Sequence, residues 1–393
     1  MVCINLWLLG ILIGGGSAAS QAACPDALDY RDETYGASIR QLVRREGHEH
    51  NLYYTRDPWN ADGSLMVGIR SDLMQRNWKV ALFDGDGCFQ KELFSIDQFD
   101  WRLVWDRSRP EILYTWRASN LYEFNVKTGA ARLLKSFAPS KLMPNGPSLN
   151  QDGDRILIVT QDGTFRSYKL PDMGDERTFQ MAFPEGCSPA WDKPRYTGFR
   201  NFITATCSSG DGKVQAVLVY DDTGAPHHIF EGVGGGGHHD FSPDGRWAYF
   251  KLPSGPRGGP RSPLEIHVVN IDGTDDRVVY SIPATEARYV HNLHLAWPSR
   301  VNDWLIASFF PNAANLPPSY APPLDEILQL RLDGRHRFLA RTYTAYSTEG
   351  RRTGGAQDMF WAQPLARPSA DGRRIVFNTN RSGTIDLCIL TLP

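Results

Sequence analysis

The chain has 393 residues, of which 22% are charged and 11% aromatic, and its formal net charge is −2. That near-neutral balance gives no general attraction to nucleic acid or to an anionic membrane surface, and the apolar content argues against disorder. The 36 Gly, 26 Pro and 11 Trp predict many turns with aromatic anchors, as in all-β proteins.

The opening stretch "MVCINLWLLGILIGGGSAASQAAC" holds a short apolar run, Leu6 to Ile13, followed by small residues. It reads as a secretory signal over residues 1–22, cleaved after Ala22, although a basic leading segment is missing. The run is too short to span a bilayer. Residues 23–393 then form one secreted, soluble domain. Beyond Cys3 the cysteines are Cys24, Cys88, Cys187, Cys207 and Cys388. No CxxC occurs, so no zinc knuckle is indicated. In an oxidising compartment Cys187–Cys207 would bridge neighbouring strands. Cys24–Cys388 would tie the two chain ends, leaving Cys88 over. Asn380-Arg381-Ser382 is a glycosylation sequon.

From the first tryptophan of the repeat onward, one unit recurs. A hydrophobic residue leads into a turn, often Asp-Gly; then come a strand, a loop, a second strand and another turn. The units start at Trp59, Trp105, Leu149, Trp191, Phe241, Trp297 and Pro368. "FSPDGRWAYFKL" from Phe241 is typical. A period of roughly 40–50 residues with four short strands predicts a β-propeller blade, here seven times. Two stacked sandwiches would give no reason for the period. The last unit reaches the C-terminus without an outer strand. "ASIRQLVRR", residues 37–45, is expected to supply it from the N-terminal side. Closing the ring in this way removes the open sheet edge. Proline- and glycine-rich inserts fall in the fifth and sixth units and before the seventh, where they read as loops.

In a propeller the innermost strand of each blade runs along the central channel. Residues two to six places before the recurrent residue therefore approach one channel mouth. Those positions hold Arg56, Arg102, His238 and His239, then His291 and His294 in "HNLHLAW". His48 and His50 stand in the approach to the first unit. Their alternation puts both imidazoles on one strand face, which suits a metal, an anion or ordered channel waters equally. The odd spacing of His291 and His294 points them to opposite faces unless a bulge intervenes. The glycines at 234–237 allow a backbone path that brings a ligand close to His238 or His239; a plain long turn is the competing reading. Arg102, Arg117 and Arg200 are candidates to grip a carboxylate in a bidentate fork, Arg102 first because of its register.

The "FSPDGRWAYF" repeat resembles the TolB-like propellers from about residue 48 onward. With the secretion signal and "GHHDFSPDG", the chain is similar to the propeller polysaccharide lyases, which include oligogalacturonate lyases and rhamnose–glucuronate lyases. This resemblance implies β-elimination at a uronic acid. A histidine base, His238 or His239, removes the proton on C5, and arginine or a cation neutralises the carboxylate. It also implies a divalent cation, calcium or manganese, held through a later histidine and a last-blade Gln-x-x-His-x-His. His294 matches the first of these and Gln357 the glutamine, but the two final histidines read Phe360 and Ala362. A glucuronate glycan suits that departure better than polygalacturonate. The catalytic set is thus His238, His239, Arg102 and His294. Arg56, Arg117, Arg200, Tyr289 and Asn292 are the substrate-binding candidates, and His48, His50, His291 and Gln357 the metal candidates. Tyr289 and Tyr53 are candidates to protonate the leaving oxygen. The partner is a uronic-acid oligo- or polysaccharide and the state a monomer.

Two other functions compete. A non-catalytic propeller would bind a glycan or protein through an apolar patch such as "DMFWAQP". A peptidase would need Gly-x-Ser-x-Gly, which is absent. A glycosidase would need paired acids at the mouth, for which Asp240 and Asp358 are available.

Overall fold

The computed structural model describes residues 24–43, 46–96, 103–143, 146–186, 188–208, 214–231, 238–251, 262–311, 323–344 and 360–392. Six four-stranded antiparallel sheets and one five-stranded sheet follow one another round a ring. This is the predicted seven-bladed β-propeller. Each blade starts on the inside. The inner strands are Gly47–His50, Leu103–Trp105, Ser148–Leu149, Ser188–Tyr196, Asp240–Phe241, Val290–Ala296 and Arg367–Pro368.

The turn after the inner strand explains why the sequence marks each blade so clearly. In blade five the Ser242 amide donates to the Arg246 carbonyl at 2.8 Å and the Gly245 amide to the Ser242 carbonyl at 3.2 Å. The Ser242 hydroxyl donates to Asp244 at 2.6 Å. Gly245 has φ +88°, and a Cβ there would meet the Phe199 ring at 2.7 Å. Only glycine fits both demands. The same amide-to-carbonyl closure recurs at Asn60, Asp106, Asn150 and Ser369. Behind the turns, second strands such as Arg155–Val159 and Trp304–Pro311 are buried throughout. Fully buried Trp247, Trp297, Phe309 and Phe377 fill the space between blades.

Blade four corrects the reading of Trp191. The equivalent turn is closed by the Thr197 amide and the Phe202 carbonyl at 2.9 Å. The unit therefore starts at Tyr196, at the end of the inner strand, which evens out the repeat.

The ring closes as expected. Ser38–Leu42 pairs antiparallel with Asp386–Thr391, Ser38 opposite Thr391 and Leu42 opposite Leu387. Ala27–Arg31 then adds a fifth, outermost strand. Gln41 donates to Asp386 at 2.6 Å inside this seam. The bond at the chain ends is arranged differently from the expectation. Cys24 pairs with Cys88, 64 residues on, and Cys388 is a buried free thiol. Cys388 sits mid-strand opposite Gln41 and Phe377, so it packs as core and faces no chain end. Cys207 is disulfide-bonded, while Cys187 lies outside the described residues. Cys24–Cys88 clasps the strand that closes blade seven to blade one. A loop of this length makes the clasp worth about 4 kcal/mol by chain entropy. Cys88→Ser is therefore expected to lower the urea midpoint clearly. An unchanged midpoint would show that the seam holds without the bond.

Among the described residues no helix is long and apolar enough to cross a membrane.

Candidate active site

All inner strands run in one direction, so the turns gather at one end of the central channel and the residues entering the strands gather at the other. At the entry end the structure brings together side chains from four blades. The rings of His238 (blade five) and His294 (blade six) lie 4.4 Å apart, tilted by 31°. Tyr54 from blade one touches both, at 4.7 Å from His294 and 6.0 Å from His238. Tyr53 meets His294 edge-on at 6.0 Å and stacks on Phe360 of the last-blade segment. Phe310 stacks on the other side of His294 at 5.4 Å.

Within this cluster His238 and Phe360 are partly exposed; His294, Tyr53 and Tyr54 are buried. Its Nδ1 stands 3.1 Å from the Leu293 carbonyl. A carbonyl only accepts, so the proton sits on Nδ1 and Nε2 is the basic nitrogen. His239 turns the other way. It is 1% exposed and packs edge-on against Phe241 and Trp247. Strand alternation separates the two: His238 and Asp240 face the channel, His239 the core. Of the two neighbours, His238 is the one whose ring meets His294.

Below the cluster lies a floor. Residues 51–58 leave strand geometry, and Tyr54 crosses to blade five. Its hydroxyl donates to the His239 carbonyl at 3.5 Å, and its own carbonyl accepts from Arg367 at 3.3 Å. Asp240 is the hub. It accepts from Arg367 at 2.7 Å, from Arg195 at 3.3 Å and from the Trp297 amide at 2.8 Å. Arg195 also donates to the His239 carbonyl at 3.0 Å, and Arg367 pairs with Asp57 at 2.7 Å. Asp240 is thus committed to two arginines inside the floor. The paired-acid reading of Asp240 with Asp358 is not supported by this arrangement, and Asp358 lies outside the described residues.

The remaining candidates are scattered. Arg56 is buried in the floor and donates to the Pro147 carbonyl at 2.6 Å. Arg117 is exposed at the end of the second strand of blade two, away from the channel. Arg200 sits on the blade-four turn at φ +51°, its guanidinium over Phe199. Neither joins the histidines, because Arg117 ends a second strand and Arg200 lies on a turn. The Tyr289 hydroxyl accepts from Arg288 at 2.5 Å, and Asn292 accepts from the Leu293 amide at 2.8 Å. Arg102, Gln357 and the side chain of His291 lie outside the described residues, as do the glycines 234–237.

His48 and His50 are held by backbone. The Ile385 amide donates to His48 Nδ1 at 3.0 Å, and His48 Nε2 lies 3.3 Å from the Leu73 carbonyl. His50 Nδ1 lies 2.8 Å from the Asn51 carbonyl, and its ring stacks on Trp361 at 4.3 Å. Each imidazole has a structural task. Burial pushes the His50 pKa down to about 3, against the pull of the Asn51 carbonyl, and His48 lowers it further. The unfolded chain binds that proton near pH 6.5, so stability is full above this value and falls as pH drops toward 3. His50→Phe keeps the stack but cannot titrate. Urea titrations between pH 6 and 4 are expected to show a slope shallower than wild type by about 1.4 kcal/mol per pH unit. An equal slope would place the proton uptake elsewhere.

Trp361 of "DMFWAQP" is 3% exposed and belongs to the core, while Phe360 is partly exposed and residues 358 and 359 lie outside the described residues. Among the described residues no three His, Cys, Asp or Glu side chains gather as a metal site. The cluster offers two imidazoles, and Phe360 and Ala362 stand where the resemblance asks for two more. The described donor set does not fit a manganese centre of that kind.

A solved oligogalacturonate lyase in complex with manganese superposes with a TM-score of 0.65, 13% identity, and coverage of 93% of this chain and 96% of its own. The oligogalacturonate lyase of Vibrio parahaemolyticus gives 0.66, 11%, 93% and 97%. The fold is that of the oligogalacturonate lyases. The β-propeller domain of a Myceliophthora Swd1 protein gives 0.50 at 11% identity, covering 88% of this chain and all of its own. No family model matches the chain, and no curated protein does.

Proposed function

We propose that the protein is a polysaccharide lyase that breaks a 4-O-linked uronic acid glycan by β-elimination. The observation that carries this reading is the His238–His294 pair above a closed floor, with His238 Nδ1 engaged and Nε2 as its basic nitrogen. The resemblance to solved oligogalacturonate lyases supports it at the level of fold.

The chemistry needs three groups. His238 Nε2 takes the C5 proton, the C5 electron pair forms the C4=C5 double bond, and the C4–O bond breaks. Tyr53 gives its proton to the departing oxygen; its edge contact with His294 supports that role. A neutral imidazole serves as base near neutral pH without special tuning. The third group is a cation for the carboxylate, since the developing dianion is otherwise too costly. Arg102, just ahead of the blade-two inner strand, is assigned that task by its register. Of the floor arginines, Arg195 and Arg367 are tied to Asp240 and Arg56 to the Pro147 carbonyl. No step is routed through calcium or manganese, because the described donors do not build the site.

A glucuronate chain of the rhamnose–glucuronate kind is the proposed substrate, on the strength of Phe360 and Ala362 in place of two histidines. The protein is proposed to act as a secreted monomer. The Cys24–Cys88 bond supports secretion, since such bonds persist in oxidising compartments. Mass analysis of products tests the reaction type. Elimination yields fragments whose masses sum to the parent glycan. Fragments that together exceed it by one water would make the protein a hydrolase and overturn the reading.

A further inference from the structure

The floor divides the channel, and the far side is a second chamber that the lyase reading does not use. It is a cavity of about 390 Å³, lined by residues from all seven blades at the turn end. That volume falls in the range of small-ligand sites, about 300–1,000 Å³. Its walls carry Arg56, Arg107, Arg195, Arg300 and Arg367. Arg195 and Arg367 are neutralised by Asp240 and Asp57.

Arg107 and Arg300 are different. Among the described residues neither has a carboxylate within ion-pair distance. Arg107 is aimed by packing: its stem lies on Gly153 of the blade-three turn, where a Cβ would meet the Arg107 Cβ at 2.7 Å. Burial lowers the Arg107 pKa first; Asp57 opposes this, Arg367 and Arg300 add to it, and Asp152 opposes it again. Arg107, Arg300 and Arg367 therefore act on one another across the chamber, and the two carboxylates closest to Arg367, Asp57 and Asp240, are already paired with it. Arg300 is exposed at the rim, where one nitrogen donates to the Ala61 carbonyl at 3.0 Å. The exposed Asp152 stands across from it. A cluster of this kind is relieved when an anion enters.

The geometry points to a second ligand site: the turn-end chamber binds a small anion, no larger than a monosaccharide, whose carboxylate or phosphate is taken by Arg107 and Arg300. This goes beyond the lyase reading and is independent of it, because the floor separates the chamber from His238.

Calorimetric titration of the full chain at fixed ionic strength tests it, with galacturonate, inorganic phosphate and neutral galactose as probes. Galacturonate or phosphate is expected to bind, which also tells a carboxylate from a phosphate source. That binding is expected to survive His238→Ala and to weaken at least tenfold in Arg107→Gln and in Arg300→Ala. Arg107→Gln keeps the stem on Gly153, and Arg300→Ala changes an exposed residue, so folding is preserved in at least the second. Equal binding of galactose, loss of binding only in His238→Ala, or no binding of either anion would overturn the site.

Discussion

His238→Ala is expected to slow uronide cleavage by about 10²–10⁴-fold, the usual share of a general base. The loss should fall on kcat, with KM little changed, because a base acts on the reacting proton and not on the resting complex. The variant should melt near the wild type, since the ring is partly exposed. His239→Ala is the control from the neighbouring position. Its ring is wedged against Phe241 and Trp247, so the expected loss is in thermal stability, with kcat largely kept. If both variants stay fully active, the base assignment is wrong. A fully stable His239→Ala that has lost its kcat would exchange the two roles.

The largest loss of stability is expected at Asp240. Alanine there leaves Arg195 and Arg367 buried without their shared carboxylate and removes the acceptor of the Trp297 amide. Breaking one side of a buried ion network costs about 3–5 kcal/mol. Asp240→Asn keeps an acceptor for the Trp297 amide and should lose less. Chemical denaturation measures both. A loss below about 1 kcal/mol for Asp240→Ala would mean that water replaces the carboxylate and that the floor is not a sealed layer.

These residues show what the sequence made legible. Blade number and ring closure were readable because each turn needs its own chemistry: a capping side chain and, in blades such as five, a glycine at positive φ. That signal is local. Arg195, Asp240 and Arg367 carry a repeat signal too, for each is the residue just before the unit's first residue. For Arg195 the signal is obscured by Trp191, a tryptophan inside the inner strand ahead of Tyr196. The excursion at 51–58 had no signal of its own. "NLYYTRDP" reads as an ordinary loop, and only the ring geometry sends Tyr54 across the channel. Cysteine pairing failed for a similar reason. Cys88 meets Cys24 because closure brings the N-terminal strands beside the blade-one turn, a neighbourhood no spacing rule contains.

Histidine position was only partly informative. Counting back from the recurrent residue found His238 and His294, which do meet. The same count could not tell a ring facing the channel from one filling the core, as at His239, or one anchored to backbone, as at His48 and His50. That distinction is set by strand face and by the nearest carbonyl.

The most direct test is ultraviolet absorbance of the purified protein mixed with uronate glycans, including rhamnose-capped glucuronate chains and oligogalacturonate. The account predicts a rise on one of them, strongest on the glucuronate chain, as a C4=C5 double bond conjugated to the carboxylate appears. A flat trace on every uronate glycan, with no cleavage of any, would contradict it and leave the propeller as a binding module.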